Sequence, residues 1–158
     1  MTALRVFPFI GAVVTVAAIV LAIIAVSTTY WFSNQDKHKG LWQDCTKDGC
    51  ERVDGGRAAG MAITALIAMA VATVLATFTG LTRNKSDAPN NLARLCGIVS
   101  VILLFSSGIL IAGSLYAAIG AAHATGYSFT LMAIAQFLSF LAAMLVAHWM
   151  GHSFTVIT

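Results

Sequence analysis

The residues best suited to chemistry are two cysteines, Cys45 and Cys50, with four residues between them in a polar stretch. Such a pair forms a disulfide in an oxidising compartment or supplies two ligands to zinc. A structural zinc site needs two further ligands, and the only nearby candidate is His38. Between the cysteines, Asp48-Gly49 is typical of a tight hairpin turn that would bring them together. We therefore favour the disulfide over zinc and predict no metal site.

Three other groups of reactive side chains lie in or near apolar sequence. His148 and His152 are one helical turn apart and could bind metal or sense pH, but we interpret them as residues at the membrane interface, because no acidic or cysteine neighbour is near. Gln136 is interpreted as the donor of an interhelical hydrogen bond rather than as the lining of a pathway. Cys96 is interpreted as an unmodified buried thiol, and reversible palmitoylation is the alternative.

The composition excludes most soluble classes. Of the 158 residues, 59% are hydrophobic and only 9% are charged, which is too apolar for a water-soluble domain of this size. The net charge of +3 is small and its basic residues are scattered, so we expect no nucleic-acid partner. The chain also carries no recognisable catalytic constellation, so we expect neither enzymatic activity nor a cofactor. These observations predict a single integral membrane domain.

Four apolar runs without Asp, Glu, Lys or Arg are long enough to cross a bilayer. For the first run the alternative is a cleaved signal peptide, whose apolar core is usually only about 7–15 residues long. The lack of charged residues within the runs argues against a proton relay or an ion-coupled transporter. The predicted spans are residues 7–29, 58–82, 95–122 and 128–149, and the loops between them are 30–57, 83–94 and 123–127.

In the second run, small residues recur at every fourth position. Such faces let helix backbones approach closely in lipid, although an alanine-rich helix also produces them by chance. We interpret this set as a helix-packing face. Its members are Gly60, Thr64, Ala68, Ala72, Ala76 and Gly80.

An ordered set of residues in the first loop identifies a known family. Trp31, then Gly40-Leu41-Trp42, then Cys45 and Cys50 resemble the first extracellular loop of the claudin superfamily. Arg57, at the start of the second run, matches the basic residue that many members carry there. The short interval between the cysteines looks most similar to the branch of epithelial membrane proteins and the lens fibre membrane protein. The superfamily also contains peripheral myelin protein and the calcium-channel gamma subunits.

This resemblance implies both a fold and a function. The implied fold is an all-α membrane protein, a left-handed four-helix transmembrane bundle capped outside by a small antiparallel sheet with one disulfide. The implied function is non-enzymatic, in cell–cell contact, junctions or membrane organisation, through association with itself or another membrane protein and with lipids. The alternative is an auxiliary subunit of a channel or receptor. By the family pattern, Trp31 and Trp42 are expected to pack the sheet on the helix ends rather than to contact a partner.

The orientation follows from the same resemblance. Loops 30–57 and 123–127 are expected outside a plasma membrane, and loop 83–94 and both termini in the cytoplasm. The positive-inside rule favours the opposite orientation, since five of the nine Lys and Arg residues lie in loop 30–57. The cysteine pair and the family pattern decide the orientation here. The glycosylation sequon at Asn84 would then face the cytoplasm and stay unused.

Overall fold

The computed structural model of the chain describes residues 7–34, 37–47, 49–85, 91–119 and 126–155. These contain four long helices and one small sheet, in the order helix, four strands, three helices. The helices are α1 (Phe7–Ser27), α2 (Gly56–Lys85), α3 (Asn91–Ile119) and α4 (Tyr127–Thr155). The strands are β1 (Phe32–Asn34), β2 (Lys37–Lys39), β3 (Gln43–Thr46) and β4 (Gly49–Arg52).

All four helices are long and apolar enough to cross a membrane. Large apolar side chains cover their outer surfaces. Val13, Val74, Phe137 and Met144 are each between 68% and 75% exposed. In water so much exposed apolar surface would drive association, whereas in a bilayer it contacts acyl chains. The chain is therefore a multi-pass membrane protein.

The helices differ in extent from the apolar runs in the sequence. α2 continues to Lys85 and α4 to Thr155, while α3 already begins at Asn91. A helix continues beyond the hydrocarbon wherever its backbone stays hydrogen-bonded, so hydropathy locates a span better than it locates a helix end. α1 is the exception, because it ends at Ser27, two residues before the apolar run does. Positions 120–125, at the end of the third predicted span and in the second outer loop, lie outside the described residues.

Each helix packs against two others, so that α1 contacts α2 and α4, and α3 contacts the same two. Alanine dominates the buried core, and this fits a membrane bundle, in which small side chains allow close helix contact. Fully buried alanines occur on α1, α2 and α4: Ala18, Ala22, Ala25, Ala62, Ala65, Ala72, Ala135 and Ala142.

Hydroxyl side chains link neighbouring helices. On α3, Ser100 Oγ donates a hydrogen bond to the carbonyl of Ala72 (2.8 Å), and Ser114 Oγ donates one to the carbonyl of Ala58 (2.9 Å). Ser139 on α4 donates to the carbonyl of Leu104 (2.7 Å). In lipid, such bonds hold helices in register at about 0.6–2 kcal/mol each. Gln136 behaves differently from our expectation, since its half-buried side chain makes no hydrogen bond among the described residues.

The set of small residues on α2 is not one continuous face of the bundle. Ala72, Ala76 and Gly80 are buried and Ala68 is half-buried. Gly60 and Thr64, in contrast, are exposed. The reason is geometric, because a step of four residues overshoots a helical turn by about 40°, and six such positions rotate by about 200°. Toward the sheet end, the buried face of α2 instead contains Ala59, Ala62, Ala65 and Met69.

Replacing Ala72 with leucine should lower the free energy of unfolding by about 1–3 kcal/mol, because Ala72 is fully buried where Ser100 meets α2. The matched control is Val71→Leu, one position away at a side chain that is 46% exposed, and it should change stability by less than about 0.5 kcal/mol. Thermal unfolding in detergent compares the two variants. If Val71→Leu is the more harmful, the assignment of this face to the α2–α3 contact is wrong.

The sheet is an antiparallel meander in which each strand pairs with the next along the chain. In the β3–β4 hairpin, Cys45 lies directly opposite Cys50 and Thr46 lies opposite Gly49. Gly49 thus already belongs to the ladder, and positions 47 and 48 connect the strands. Asp48, the first residue of the expected turn, lies outside the described residues. The predicted fold class, a helical membrane bundle with a small sheet between the first two helices, is confirmed.

Candidate functional site

The sheet is attached to the bundle by the side chain of Trp31. Only 1% of this residue is exposed, and its indole Nε1 donates a hydrogen bond to the carbonyl of Ala25 at the end of α1 (2.6 Å). Its ring meets Phe129 of α4 edge to face, with 6.5 Å between ring centroids and 89° between planes. Trp31 therefore joins the sheet to both α1 and α4, and satisfies its one polar atom while buried.

The chain entering β1 also pairs with the start of α4. The amide of Gly126 donates to the carbonyl of Trp31 (2.8 Å), and the amide of Ser128 donates to the carbonyl of Tyr30 (3.3 Å). The hydroxyls of Thr28 and Ser128 are 2.6 Å apart, and the rings of Tyr30 and Tyr127 stack at 5.1 Å. These bonds satisfy amides of the first turn of α4, which have no partner within the helix itself.

Gly40 and Leu41 pack the sheet against the chain at the end of α1. A Cβ at Gly40 would lie 2.7 Å from the Cα of Thr29, which is closer than real atoms approach. Leu41 is only 7% exposed and belongs to the hydrophobic core. The Gly-Leu pair therefore serves close packing: the glycine permits contact with the backbone of Thr28 and Thr29, directly after α1, and the leucine is buried in the core beside it.

Trp42 occupies a different environment from Trp31. It is 39% exposed and lines a cavity of about 430 Å³ between the end of α1 and α2, together with Ile23, Val26 and Leu66. Its carbonyl accepts a hydrogen bond from the amide of Val53 (3.0 Å). The indole itself is partly available for contact with lipid or a partner, so the two tryptophans of the motif are not equivalent.

The disulfide between Cys45 and Cys50 is confirmed, with an S–S distance of 2.03 Å. Because both sulfurs are bonded to each other, neither is a thiolate ligand for zinc. His38, the other zinc ligand considered, instead places its Nδ1 3.2 Å from Ser33 Oγ and its ring 4.6 Å from that of Tyr30. These contacts make His38 part of the packing of β1 and β2.

The exposed part of the sheet carries charge of both signs. Lys39 and Asp44 lie opposite each other on β2 and β3, with 3.7 Å between Nζ and Oδ2, and both side chains are partly exposed. Every residue of β4 is exposed, including Glu51 and Arg52. An exposed ion pair of this kind stabilises a fold by only about 0–1 kcal/mol, so these charges are free to serve recognition.

The remaining candidates lie away from the sheet. Cys96 is a half-buried free thiol near the start of α3. The rings of His148 and His152 meet edge to face at 4.7 Å, and Phe7 lies 5.9 Å from His148. Arg57 lies in the first turn of α2 and lines a cavity beneath the sheet.

Two pairs of residues at the site were not identified as contributors from the sequence. Ser128 and Thr28 are a hundred positions apart, and only the closing of the bundle between α1 and α4 brings their hydroxyls together. Asp54 and Gly55 are of residue types typical of turns, yet both line the cavity beneath the sheet. A turn motif reports local backbone geometry and carries no information about which distant element it faces.

Comparison with known proteins adds one relative to this geometry. No family model matches the chain. The curated mouse protein "Claudin domain-containing protein 2" is 24% identical to it over 101 residues, which is 64% of this chain. The match covers 58% of the length of that relative. Taken with the four apolar helices, the sheet and the disulfide, this similarity supports a claudin-like tetraspan membrane protein without assigning it to a branch.

Proposed function

We propose that this chain acts without catalysis in cell–cell contact, junctions or membrane organisation, through lateral and trans association with itself or another membrane protein. The observation that carries the proposal is a small disulfide-linked sheet held on the helix ends, with its charged outer surface exposed. A surface fixed to a membrane bundle loses little conformational entropy on binding. The similarity to a claudin-domain relative supports the same class.

The orientation belongs to this proposal. The sheet and its disulfide lie outside the plasma membrane and both termini lie in the cytoplasm. A disulfide persists in an oxidising compartment and is rare in the cytosol, which supports placing the sheet end outside. The free thiol of Cys96 lies on the helix that begins at the opposite end of the bundle.

A second candidate is an auxiliary subunit of a channel or receptor. It is favoured by an apolar groove of about 670 Å³ between α3 and α4, in which Phe105, Phe137 and Phe140 are prominent. A transmembrane helix of another protein would bury these rings, as lateral association requires. This candidate predicts a large partner in the same membrane, whereas the leading proposal predicts association between sheets on facing cells.

Exchanging the charges of Lys39 and Asp44, in the double variant Lys39→Asp with Asp44→Lys, should weaken trans association about two- to fivefold. The exchange keeps the ion pair across the strands but inverts its direction, so recognition changes while stability stays nearly constant. Enrichment of the protein at contacts between expressing cells measures association. Labelling of intact cells with a membrane-impermeant reagent measures delivery and, at the same time, the outside location of the sheet.

The matched control is the double variant Lys39→Arg with Asp44→Glu, which preserves both signs and should behave as the parent. If the exchanged variant reaches the surface and keeps full enrichment at contacts, the sheet surface is not the recognition site. Co-purification in mild detergent then separates the two candidates, because a channel or receptor partner supports the auxiliary role.

A further inference from the structure

A second cavity, of about 410 Å³, lies beneath the sheet where it meets the first turn of α2 and the end of α3. Its size falls within the range of sites that bind small molecules, about 300–1,000 Å³. Apolar residues, Trp31, Leu41 and Ala118, form part of its wall. The charged side chains that line it are Lys39, Asp54 and Arg57.

Two of these charges are available to a ligand. Among the residues that the structure describes, neither Asp54 nor Arg57 makes a hydrogen bond or an ion pair, although they are three positions apart and line the same cavity. Lys39 differs from them because it is paired with Asp44. The cavity thus presents one free anion and one free cation, which together complement a molecule that carries both charges.

The position of the cavity indicates where that molecule resides. Arg57 immediately precedes the second apolar run, and Ala117 and Ala118 lie near the end of α3 that faces the sheet. The cavity therefore opens at the level of the lipid headgroups. Farther from the sheet, α2 and α3 carry exposed apolar side chains suited to contact with acyl chains, among them Ile67 and Ile109, which are 60% and 54% exposed.

We propose that this cavity binds the headgroup of a zwitterionic phospholipid from the leaflet on the sheet side. Arg57 binds the phosphate, Asp54 binds the ammonium group, and the acyl chains lie along the apolar surfaces of α2 and α3. The bound headgroup bridges the sheet and the bundle, because its neighbours Lys39 and Leu41 belong to the sheet region while Arg57 and Ala118 belong to helices. The bound lipid thereby helps to hold the sheet in position on the bundle.

Native mass spectrometry of the full chain in detergent tests this with three probes: dioleoyl phosphatidylethanolamine, dioleoyl phosphatidylglycerol and dioleoylglycerol. The parent should bind phosphatidylethanolamine best and dioleoylglycerol least. Arg57→Gln should weaken binding of both phospholipids about tenfold, because a charge-assisted bond to phosphate is lost. Asp54→Asn should remove the preference for phosphatidylethanolamine over phosphatidylglycerol while keeping both bound.

Two further variants test whether lipid binding depends on this cavity rather than on general electrostatic attraction. Arg52→Gln removes the same charge from exposed β4, outside the cavity, and should leave lipid binding unchanged. Ala117→Trp fills the cavity from an exposed position without changing charge, and should weaken binding of both phospholipids. Thermal unfolding verifies that each variant is folded.

Three results would overturn the proposal. The first is equal binding of dioleoylglycerol and the phospholipids, since the headgroup would then be irrelevant. The second is an equal loss in Arg52→Gln and Arg57→Gln, which would indicate non-specific attraction. The third is displacement of phosphatidylethanolamine by inorganic phosphate at millimolar concentration, which would make the ligand a soluble anion rather than a lipid. These measurements use purified protein in which Lys39 and Asp44 are unchanged, so the binding assay and the cell-contact assay can fail independently.

Discussion

Replacing Trp31 with alanine is expected to lower the free energy of unfolding by about 3–5 kcal/mol, the usual range for removing a buried tryptophan or phenylalanine. The indole is almost fully buried, packs against Phe129 and donates a hydrogen bond to the carbonyl of Ala25. Alanine leaves a cavity at the junction of the sheet, α1 and α4, and removes the donor. Unfolding in mixed micelles, followed by near-ultraviolet circular dichroism, measures the loss.

The matched control is Trp42→Ala in the same motif. Because Trp42 is 39% exposed, its replacement should cost about 1 kcal/mol. Trp31→Phe distinguishes the contribution of packing from that of the hydrogen bond, because it keeps much of the packing and removes the bond. It should lower the free energy of unfolding by less than Trp31→Ala does. Equal losses for Trp31→Ala and Trp42→Ala would contradict the assignment of Trp31 as the attachment point of the sheet.

Replacing Gly126 with alanine should cost about 3 kcal/mol, at the upper end for overpacking. A Cβ at this position would overlap the carbonyl of Tyr30, and a backbone group is unable to rotate away as a flexible side chain does. If the chain at Gly126 moved away from Tyr30 to relieve this overlap, the hydrogen bond from the amide of Gly126 to the carbonyl of Trp31 would also break. Thermal unfolding in detergent measures the change.

Gly60→Ala is the control for this substitution, because Gly60 is exposed and nothing lies within 4 Å of a Cβ at this position. Alanine there should leave stability unchanged or raise it by about 0.5–1 kcal/mol, since it lowers the entropy of the unfolded chain. If Gly126→Ala is as stable as Gly60→Ala, the close contact between the start of α4 and Tyr30 does not restrict this position.

The parts of the fold that sequence predicts well depend on local or one-dimensional signals. Four uncharged apolar runs, each long enough to cross a bilayer, indicate four helices, because a helix satisfies all its backbone groups within one segment in lipid. The disulfide was also predictable, since two cysteines close in sequence and separated by a turn pair locally. Neither prediction depends on how one helix faces another.

What sequence did not predict is how distant elements face each other. The small residues on α2 have a fixed spacing, yet Gly60 is exposed and Ala72 is buried, because the direction of the face depends on where α1 and α3 lie. Trp31 and Trp42 share one motif, yet only the first is buried. Trp31 packs against Phe129 of α4 and bonds to Ala25 of α1, and no pattern in the first loop reports contacts with these helices.

The contacts between α1 and α4 have a consequence for biosynthesis. The ribosome releases α1 and the sheet before α4, but the groups that complete their packing, Gly126, Ser128 and Phe129, lie at the start of α4 or directly before it. Until α4 has inserted, the indole of Trp31 lacks its aromatic neighbour and the carbonyls of Tyr30 and Trp31 lack their donors. A chain shortened before α4 therefore presents an unfinished sheet to the quality-control machinery of the cell, even though every residue of that sheet is intact.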